Sequence, residues 1–376
     1  MPVPLLDLTQ QYASIRPAVD AAIADVVASQ RFIMGPAVEA LEAAIAARTG
    51  APHAIGCASG TDAILLSLRA LPLEPGAEVI VPAFTFFATA GAVWNAGLKP
   101  VFCDIDPATY NVTAATVEAA LTDRTRAIVV VHLYGQMADM QPILDLARRR
   151  GLFVVEDAAQ SIGARQQIDG VWMESGTLGD TGCLSFFPTK NLGGFGDGGM
   201  ILAGDDALAD RLRKLRVHGG RQMYHHEMVG TNSRLDALQA AVLSVKLPHL
   251  DRWTERRREN AAAYDELLSG IEAVQRPIVL PDNYHVYNQY TIRARSRDEL
   301  KAFLDARGIG NSIYYPVPLH LQECFASLGY RPGDFPESEA ASREVLSIPI
   351  YPELTRGQLE EVAASIRAFF DSHAGE

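Results

Sequence analysis

Short apolar, β-rich runs, each followed by a helical pattern, repeat through the middle of this chain and restrict its fold more than any other feature. The runs are residues 78–82, 100–105, 127–133, 153–156, 183–187 and 199–203. Most of the first four are continuously hydrophobic rather than alternating, the pattern of strands covered on both faces. Helical patterns lie at 62–71, 86–95, 115–121 and 140–150, and the last closes on Arg148, Arg149, Arg150 and Gly151, a helix C-terminal signal. A chain that alternates in this way builds a mainly parallel sheet between helices, an α/β layer fold.

A long helical stretch, 234–268, carries Pro248 near its middle, where the missing N–H kinks or breaks a helix. Beyond it the pattern changes to a smaller α+β unit: strands at 289–294 and 312–316, a helix at 298–307 and a terminal helix at 355–371. A length of 376 residues suits two domains. The boundary is expected near Pro248, giving residues 1–247 as a large α/β domain and 248–376 as a small one.

The formal net charge of −12 argues against nucleic acid as a partner, although a local cationic pocket for a phosphorylated small molecule remains compatible with it. No run reaches the roughly 18 apolar residues of a membrane span, and the N-terminus lacks a basic-then-apolar signal. A cytoplasmic protein without a membrane partner is expected. Cys57, Cys103, Cys183 and Cys324 are scattered in apolar settings with no CxxC pair, which reads as buried, reduced thiols. His225 and His226 are adjacent and do not share a side of a regular element, so no metal site is expected.

Chemistry concentrates in four segments. Ser185-Phe-Phe-Pro-Thr-Lys190 runs from an apolar strand into a proline turn and presents one lysine, followed by a glycine-rich stretch to Gly199. Walled by aromatics and glycine backbone, Lys190 is partly desolvated, which favours the neutral amine that attacks a carbonyl and forms a Schiff base. Ser59-Gly-Thr-Asp-Ala63 opens a helix, where free N–H groups, hydroxyls and the dipole make an anion cup; a simple N-cap is the other reading. Glu156-Asp-Ala-Ala-Gln160 ends a hydrophobic strand in two acids. They either cap the next helix or hold a heterocyclic nitrogen protonated, as pyridoxal phosphate requires. Pro82-Ala-Phe-Thr-Phe-Phe-Ala-Thr89 supplies aromatics for the core, of which one could stack on a planar ring. Gly194-Phe-Gly-Asp-Gly-Gly199 has the GxGxxG spacing but leads into a strand, so a nicotinamide reading is rejected.

A lysine, a strand-end acid, a phosphate cup and an aromatic pair together make a pyridoxal phosphate kit. On these motifs, with Leu6-Asp-Leu8, Gly35-Pro36, Gly230-Thr-Asn-Ser-Arg234 and Tyr315-Pro-Val-Pro-Leu-His320, the chain resembles the DegT/DnrJ/EryC1/StrS sugar-nucleotide aminotransferases. The likeness runs nearly end to end. It implies fold type I, with a mostly parallel seven-stranded sheet between helices and a smaller C-terminal domain. It also implies pyridoxal 5′-phosphate bound to Lys190, with Asp157 on the ring nitrogen, Gln160 on the ring hydroxyl and Phe86 on the ring face. Gly60, Thr61 and Ser185 would hold the phosphate, joined by Asn232 from a neighbouring subunit, so a homodimer with shared sites is implied. Tyr314, Tyr315 and His320 fall where the family contacts the sugar nucleotide, with Arg221 and Arg234 as anion contacts. L-Glutamate is the implied amino donor. The segment from Met223 to Asp236 looks more like that of members acting on 3-keto sugars linked to dTDP or UDP than like perosamine-type synthases. Relatives that carry histidine in place of the lysine are dehydratases; Lys190 fits the aminotransferase branch. A dehydratase and a non-catalytic regulatory homologue are the alternatives.

Overall fold

The computed structural model describes residues 2–373. The first nine strands are β1 (His53–Cys57), β2 (Glu78–Pro82), β3 (Lys99–Cys103), β4 (Thr125–Val131), β5 (Phe153–Asp157), β6 (Arg165–Ile168), β7 (Val171–Glu174), β8 (Thr181–Ser185) and β9 (Gly199–Ala203). Seven form one sheet in the order β1-β9-β8-β5-β4-β2-β3. The pairs from β8 to β3 are parallel, whereas β9 runs antiparallel to both β1 and β8. Strands β2, β3, β5, β8 and β9 are almost wholly buried. Helices Gly60–Ala70, Ala88–Asn95 and Asp206–Leu215 cover one face of the sheet. Pro36–Thr49, Met140–Arg150 and Ala237–Lys246 cover the other. This is the layered α/β fold that the alternation implied, and it belongs to fold type I.

Several boundaries differ from the expectation for identifiable reasons. Strand β3 ends at Cys103, two residues early, because Asp106 Oδ1 accepts the N–H groups of Ala108 and Thr109 (3.0 and 2.8 Å) and starts a turn. Strand β4 stops at Val131, and Leu133–Gly135 forms a single 3₁₀ turn with Tyr134 at φ 60°. Strand β8 begins at Thr181 and releases Phe186 and Phe187 into the loop; Gly182 is essential to it, since a Cβ there would meet the Gly176 carbonyl oxygen at 2.1 Å. Strand β1, the β6–β7 hairpin and the N-terminal helices Leu8–Ser29 and Pro36–Thr49 were not anticipated from the sequence.

Pro248 does break the long helix: Ala237–Lys246 passes through a 3₁₀ turn, Leu247–His249, into Leu250–Leu267. Leu247 and Leu250 pack in the core of the large sheet, and side chains from Ala261 onward build a second core. That core lies against an antiparallel sheet, β10 (Val274–Gln275), β12 (Tyr290–Ala294) and β13 (Val345–Ile348), while β11 (Asn283–Tyr284) pairs with β6. Helices Arg297–Ala306 and Arg356–His373 complete it. Val3 also belongs to this second core, held by the Val3 N–H to Gly308 O (3.0 Å) and the Gly310 N–H to Val3 O (2.7 Å).

The strand expected at 312–316 reduces to a single bridge, Ser312 to Ser347. Pro316 and Pro318 lack the N–H groups a ladder needs, and the Tyr314 carbonyl accepts the Tyr134 hydroxyl instead. Of the cysteines, Cys57, Cys103 and Cys183 are buried, but Cys324 is exposed: it lies on the 3₁₀ helix Glu323–Leu328, where Phe325 is the inward side chain. Among the described residues, no helix is long and apolar enough to cross a membrane.

Candidate active site

The carboxyl ends of the parallel strands open onto one cavity of about 520 Å³. Ser59, Gly60 and Thr61 enter it after β1, Phe86 after β2, Asp157 and Gln160 from the end of β5, and Ser185 and Lys190 from β8. Tyr314, Tyr315 and Gln289 reach it from the C-terminal half of the chain. Ligands of open α/β sheets bind at this end.

Lys190 stands on a turn closed by its own N–H to Phe187 O (2.9 Å) and by the Gly194 N–H to Phe186 O (2.8 Å). A Cβ at Gly193 would meet Pro188 O at 2.2 Å, so the loop can fold back only with glycine there. Burial penalises the ammonium and draws the Lys190 pKa down to about 8, against the pull of the Asp157 carboxylate. The neutral amine is therefore more available near neutral pH than on an ordinary lysine.

Alternation along β5 separates the two acids. Glu156 is fully buried and turned from the cavity, accepting N–H groups from Gly176 (2.9 Å), Leu178 (2.6 Å) and Gly179 (2.6 Å), with His132 Nε2 at 2.8 Å. His132 Nδ1 accepts the Ala138 N–H, which leaves Nε2 to donate. Asp157 faces the cavity and accepts from Thr89 Oγ1 (2.8 Å) and the Ala159 N–H (3.2 Å). Burial raises its pKa, which those hydrogen bonds and Lys190 partly counter.

Ser59 caps the helix Gly60–Ala70, its Oγ accepting the Asp62 N–H (3.1 Å). The first N–H groups of that helix and the Thr61 hydroxyl are thus left for an anion. Gly60 is needed where the cup meets β8, because a Cβ there would lie 2.7 Å from Ser185 Cβ. Gln160 is held by the Tyr134 N–H to Oε1 (2.6 Å) and by Nε2 to the Tyr315 hydroxyl (3.2 Å). The Tyr315 ring packs 5.9 Å from the half-exposed Phe86 ring.

The remaining expected positions lie elsewhere. His320 is buried against Glu339 (3.1 Å) and the edge of Phe335 (4.8 Å) and does not line the cavity of its own chain. Arg221 is exposed, pairs with Asp210 and does not line the cavity of its own chain. Arg234 and Asn232 do not line the cavity of their own chain; Asn232 is exposed and bridges Val217 through its backbone. Two contributors were missed. Thr89 ends the Pro82–Thr89 segment, but its bond to Asp157 becomes visible only when the chain after β2 and the end of β5 converge. Gln289 carried no signal beyond the start of an apolar strand.

A model of the DegT/DnrJ/EryC1/StrS aminotransferase family matches residues 13–367. The chain belongs to this family. It is 54% identical over 98% of its length, and 99% of the relative's, to a "Pleiotropic regulatory protein" of Geobacillus stearothermophilus. It is 46% identical to the UDP-N-acetyl-3-dehydro-α-D-glucosamine 3-aminotransferase of Acidithiobacillus ferrooxidans, covering 97% of each chain. Among solved structures, S. venezuelae DesV in complex with a ketimine intermediate matches with TM-score 0.95 and 46% identity over 98% of each chain. Members of the DegT family depend on pyridoxal phosphate, and the groups present fit it. A desolvated amine, a buried carboxylate, a helix N-terminus with hydroxyls and a flat aromatic face converge on one cavity large enough for a ring and its substrate.

Proposed function

We propose that this cavity binds pyridoxal phosphate on Lys190 and transfers an amino group from L-glutamate to a keto-sugar nucleotide, a 3-keto sugar linked to dTDP or UDP. The observation that carries the reading is one cavity holding both a lysine drawn down to about 8 and a buried aspartate. The names of the Acidithiobacillus relative and of a 46% identical dTDP-3-amino-3,4,6-trideoxy-α-D-glucose transaminase support the substrate class.

When bound, pyridoxal phosphate supplies an aldehyde for amines and a ring that takes up electron density. The Gly60 and Thr61 N–H groups, with the Thr61 and Ser185 hydroxyls, hold its phosphate. Phe86 covers one ring face, and Gln160 bonds the ring hydroxyl. Asp157 would keep a proton on the ring nitrogen, its carboxylate favoured by the hydrogen bond from Thr89. Lys190 Nζ would act as the base that takes the proton from the donor's α-carbon and as the acid that returns it to complete the amino transfer. With keto acid released, the same nitrogen runs the proton transfers in reverse for the sugar.

The division of labour proposed for the chain is a cofactor-binding domain, 1–247, and a small domain, 248–376, that brings Tyr314 and Tyr315 to the sugar side. We also read the active unit as a cytoplasmic homodimer, in which Asn232 serves the partner's phosphate. The regulatory name of the Geobacillus relative raises a non-catalytic reading, against which the intact set of Lys190, Asp157, Thr61 and Ser185 stands. The test is a panel of keto-sugar nucleotides incubated with glutamate and the purified protein, followed by mass spectrometry. Appearance of 2-oxoglutarate with one aminated sugar nucleotide supports the reading. A cofactor-loaded protein that aminates none of the 3-keto dTDP or UDP sugars would sink the substrate assignment.

A further inference from the structure

Lys246 is the last residue of the helix Ala237–Lys246 and is buried to 3% exposure behind the loop that carries Lys190. Its ammonium donates to the Gly193 carbonyl at 2.7 Å and lies 5.2 Å from the centroid of the Phe195 ring. Among the described residues, no carboxylate pairs with it. An ammonium held by one carbonyl, one ring face and the negative end of its own helix is costly to bury, and a methionine would fill the same volume more cheaply. Stability alone does not account for a lysine there.

What the ammonium does hold is the return path of the active-site loop. Seven residues earlier on the same helix face, Gln239 Oε1 accepts the Phe195 N–H at 2.7 Å. A Cβ at Gly194 or Gly196 would lie 2.8 or 2.9 Å from that amide, so the glycines let the loop press against it. On the other side, Asn191 Nδ2 donates to Val286 O (3.1 Å) and Asn288 Nδ2 to Asn191 Oδ1 (2.9 Å). Residues 191, 193 and 195 are each gripped, and Lys190 is the reactive residue immediately before them.

We propose that Lys246 is a positioning residue for Lys190: through the Gly193 carbonyl and the Phe195 ring it fixes the loop that keeps the Lys190 amine desolvated opposite Asp157. The inference rests on the reading of Lys190 as the amine that bears the cofactor. It assigns to a residue outside the cavity the setting of Lys190's proton affinity. Entry of water around a loosened loop moves the Lys190 pKa upward, toward its ordinary value.

The experiment measures Lys190 itself. Full-length wild type, Lys246→Met and Lys246→Arg, stripped of cofactor, are reductively methylated over a pH series. The labelling of the Lys190 peptide is then read by mass spectrometry against surface-lysine peptides. In wild type the Lys190 midpoint should lie well below the surface set. In Lys246→Met it should rise by about one pH unit, an approximately tenfold loss of labelling below the midpoint, with an unchanged or higher Tm. Lys246→Arg should recover part of the shift. A lowered Tm with an unmoved Lys190 midpoint would make Lys246 structural only and overturn the proposal. Should Lys246→Met not fold, Lys246→Leu likewise removes the donor to Gly193, and an unmoved midpoint there has the same meaning. Borohydride reduction of the wild-type holoenzyme separates the two readings. If the pyridoxyl group maps to another lysine, the cofactor assignment falls, whatever the midpoints show.

Discussion

Glu156 and Asp157 are consecutive on one strand, and their carboxylates serve opposite sides of the sheet. Glu156 is saturated by three backbone N–H groups and His132, whereas Asp157 has Thr89 and one backbone N–H and faces the cavity with Lys190. Two acids that looked interchangeable in sequence are thereby divided between holding a turn and meeting a ligand.

For Asp157→Asn, the side chain keeps its size and one acceptor but loses the charge that favours a protonated ring nitrogen. Cofactor should still bind, since the Gly60–Thr61 cup is untouched. Turnover should fall by at least about 10²-fold, the lower range for a lost contact to developing charge. Wild-type turnover, measured on fully loaded protein, would dismiss Asp157 as the ring partner.

Glu156→Ala should act on stability instead. It strands His132 and three buried N–H groups at residues 176–179, with an expected loss of about 3 kcal/mol in urea denaturation. The fraction that folds should retain most of its turnover. A variant as stable as wild type would contradict the structural role.

Lys190 should carry the reduced pyridoxyl group after borohydride treatment, and Lys190→Ala should fold but lose transamination by about 10⁴-fold or more. Peptide mapping and circular dichroism check the two halves separately. Label on a different lysine would refute the assignment.

Asn232 is exposed in its own chain and does not line that chain's cavity, as a residue serving a two-fold partner would be. Mixing Lys190→Ala with Asn232→Ala under subunit exchange should restore activity, because one site of the mixed dimer regains both groups. No recovery despite demonstrated exchange would mean that Asn232 acts within its own chain.

Burial draws both Lys190 and Lys246 to about 8, against 10.5 for a free lysine. Between those values the unfolded chain binds more protons than the folded one. The contribution of this pair to stability therefore rises as pH increases across that window. Lys246→Met removes one of the two groups, so its stability should climb less steeply than wild type between pH 8 and about 10. Parallel slopes in urea titrations would mean that Lys246 keeps an ordinary proton affinity.

The sheet and much of the site were legible because strand runs and strand-end loops are local. Pro82 to Thr89, Glu156 to Gln160 and Ser185 to Lys190 each place their groups at the same end of a strand, so order along the chain becomes position in the cavity. Residues brought by other means were not legible. Gln289 arrives from the second half of the chain, and Lys246 acts from behind the loop on a helix that reads as ordinary. His320 shows what sequence leaves open: a histidine in a proline-rich loop says nothing of its neighbours, and in the fold Glu339 and Phe335 lie against it. Cys324 was read as buried from its apolar neighbours, but on its 3₁₀ helix it is Phe325 that turns inward.

Val3 binds Gly308 and Gly310 across more than three hundred residues of the chain. On the ribosome, Val3 must wait until more than three hundred further residues have been added before its partners exist. Until then, the late-made α+β unit has an open seat, and the early-made end is an unattached strand with free backbone groups. A bulky fusion placed directly before Val3 would therefore trouble the far end of the molecule first, and a short flexible spacer ahead of it is the better choice for tagging this enzyme.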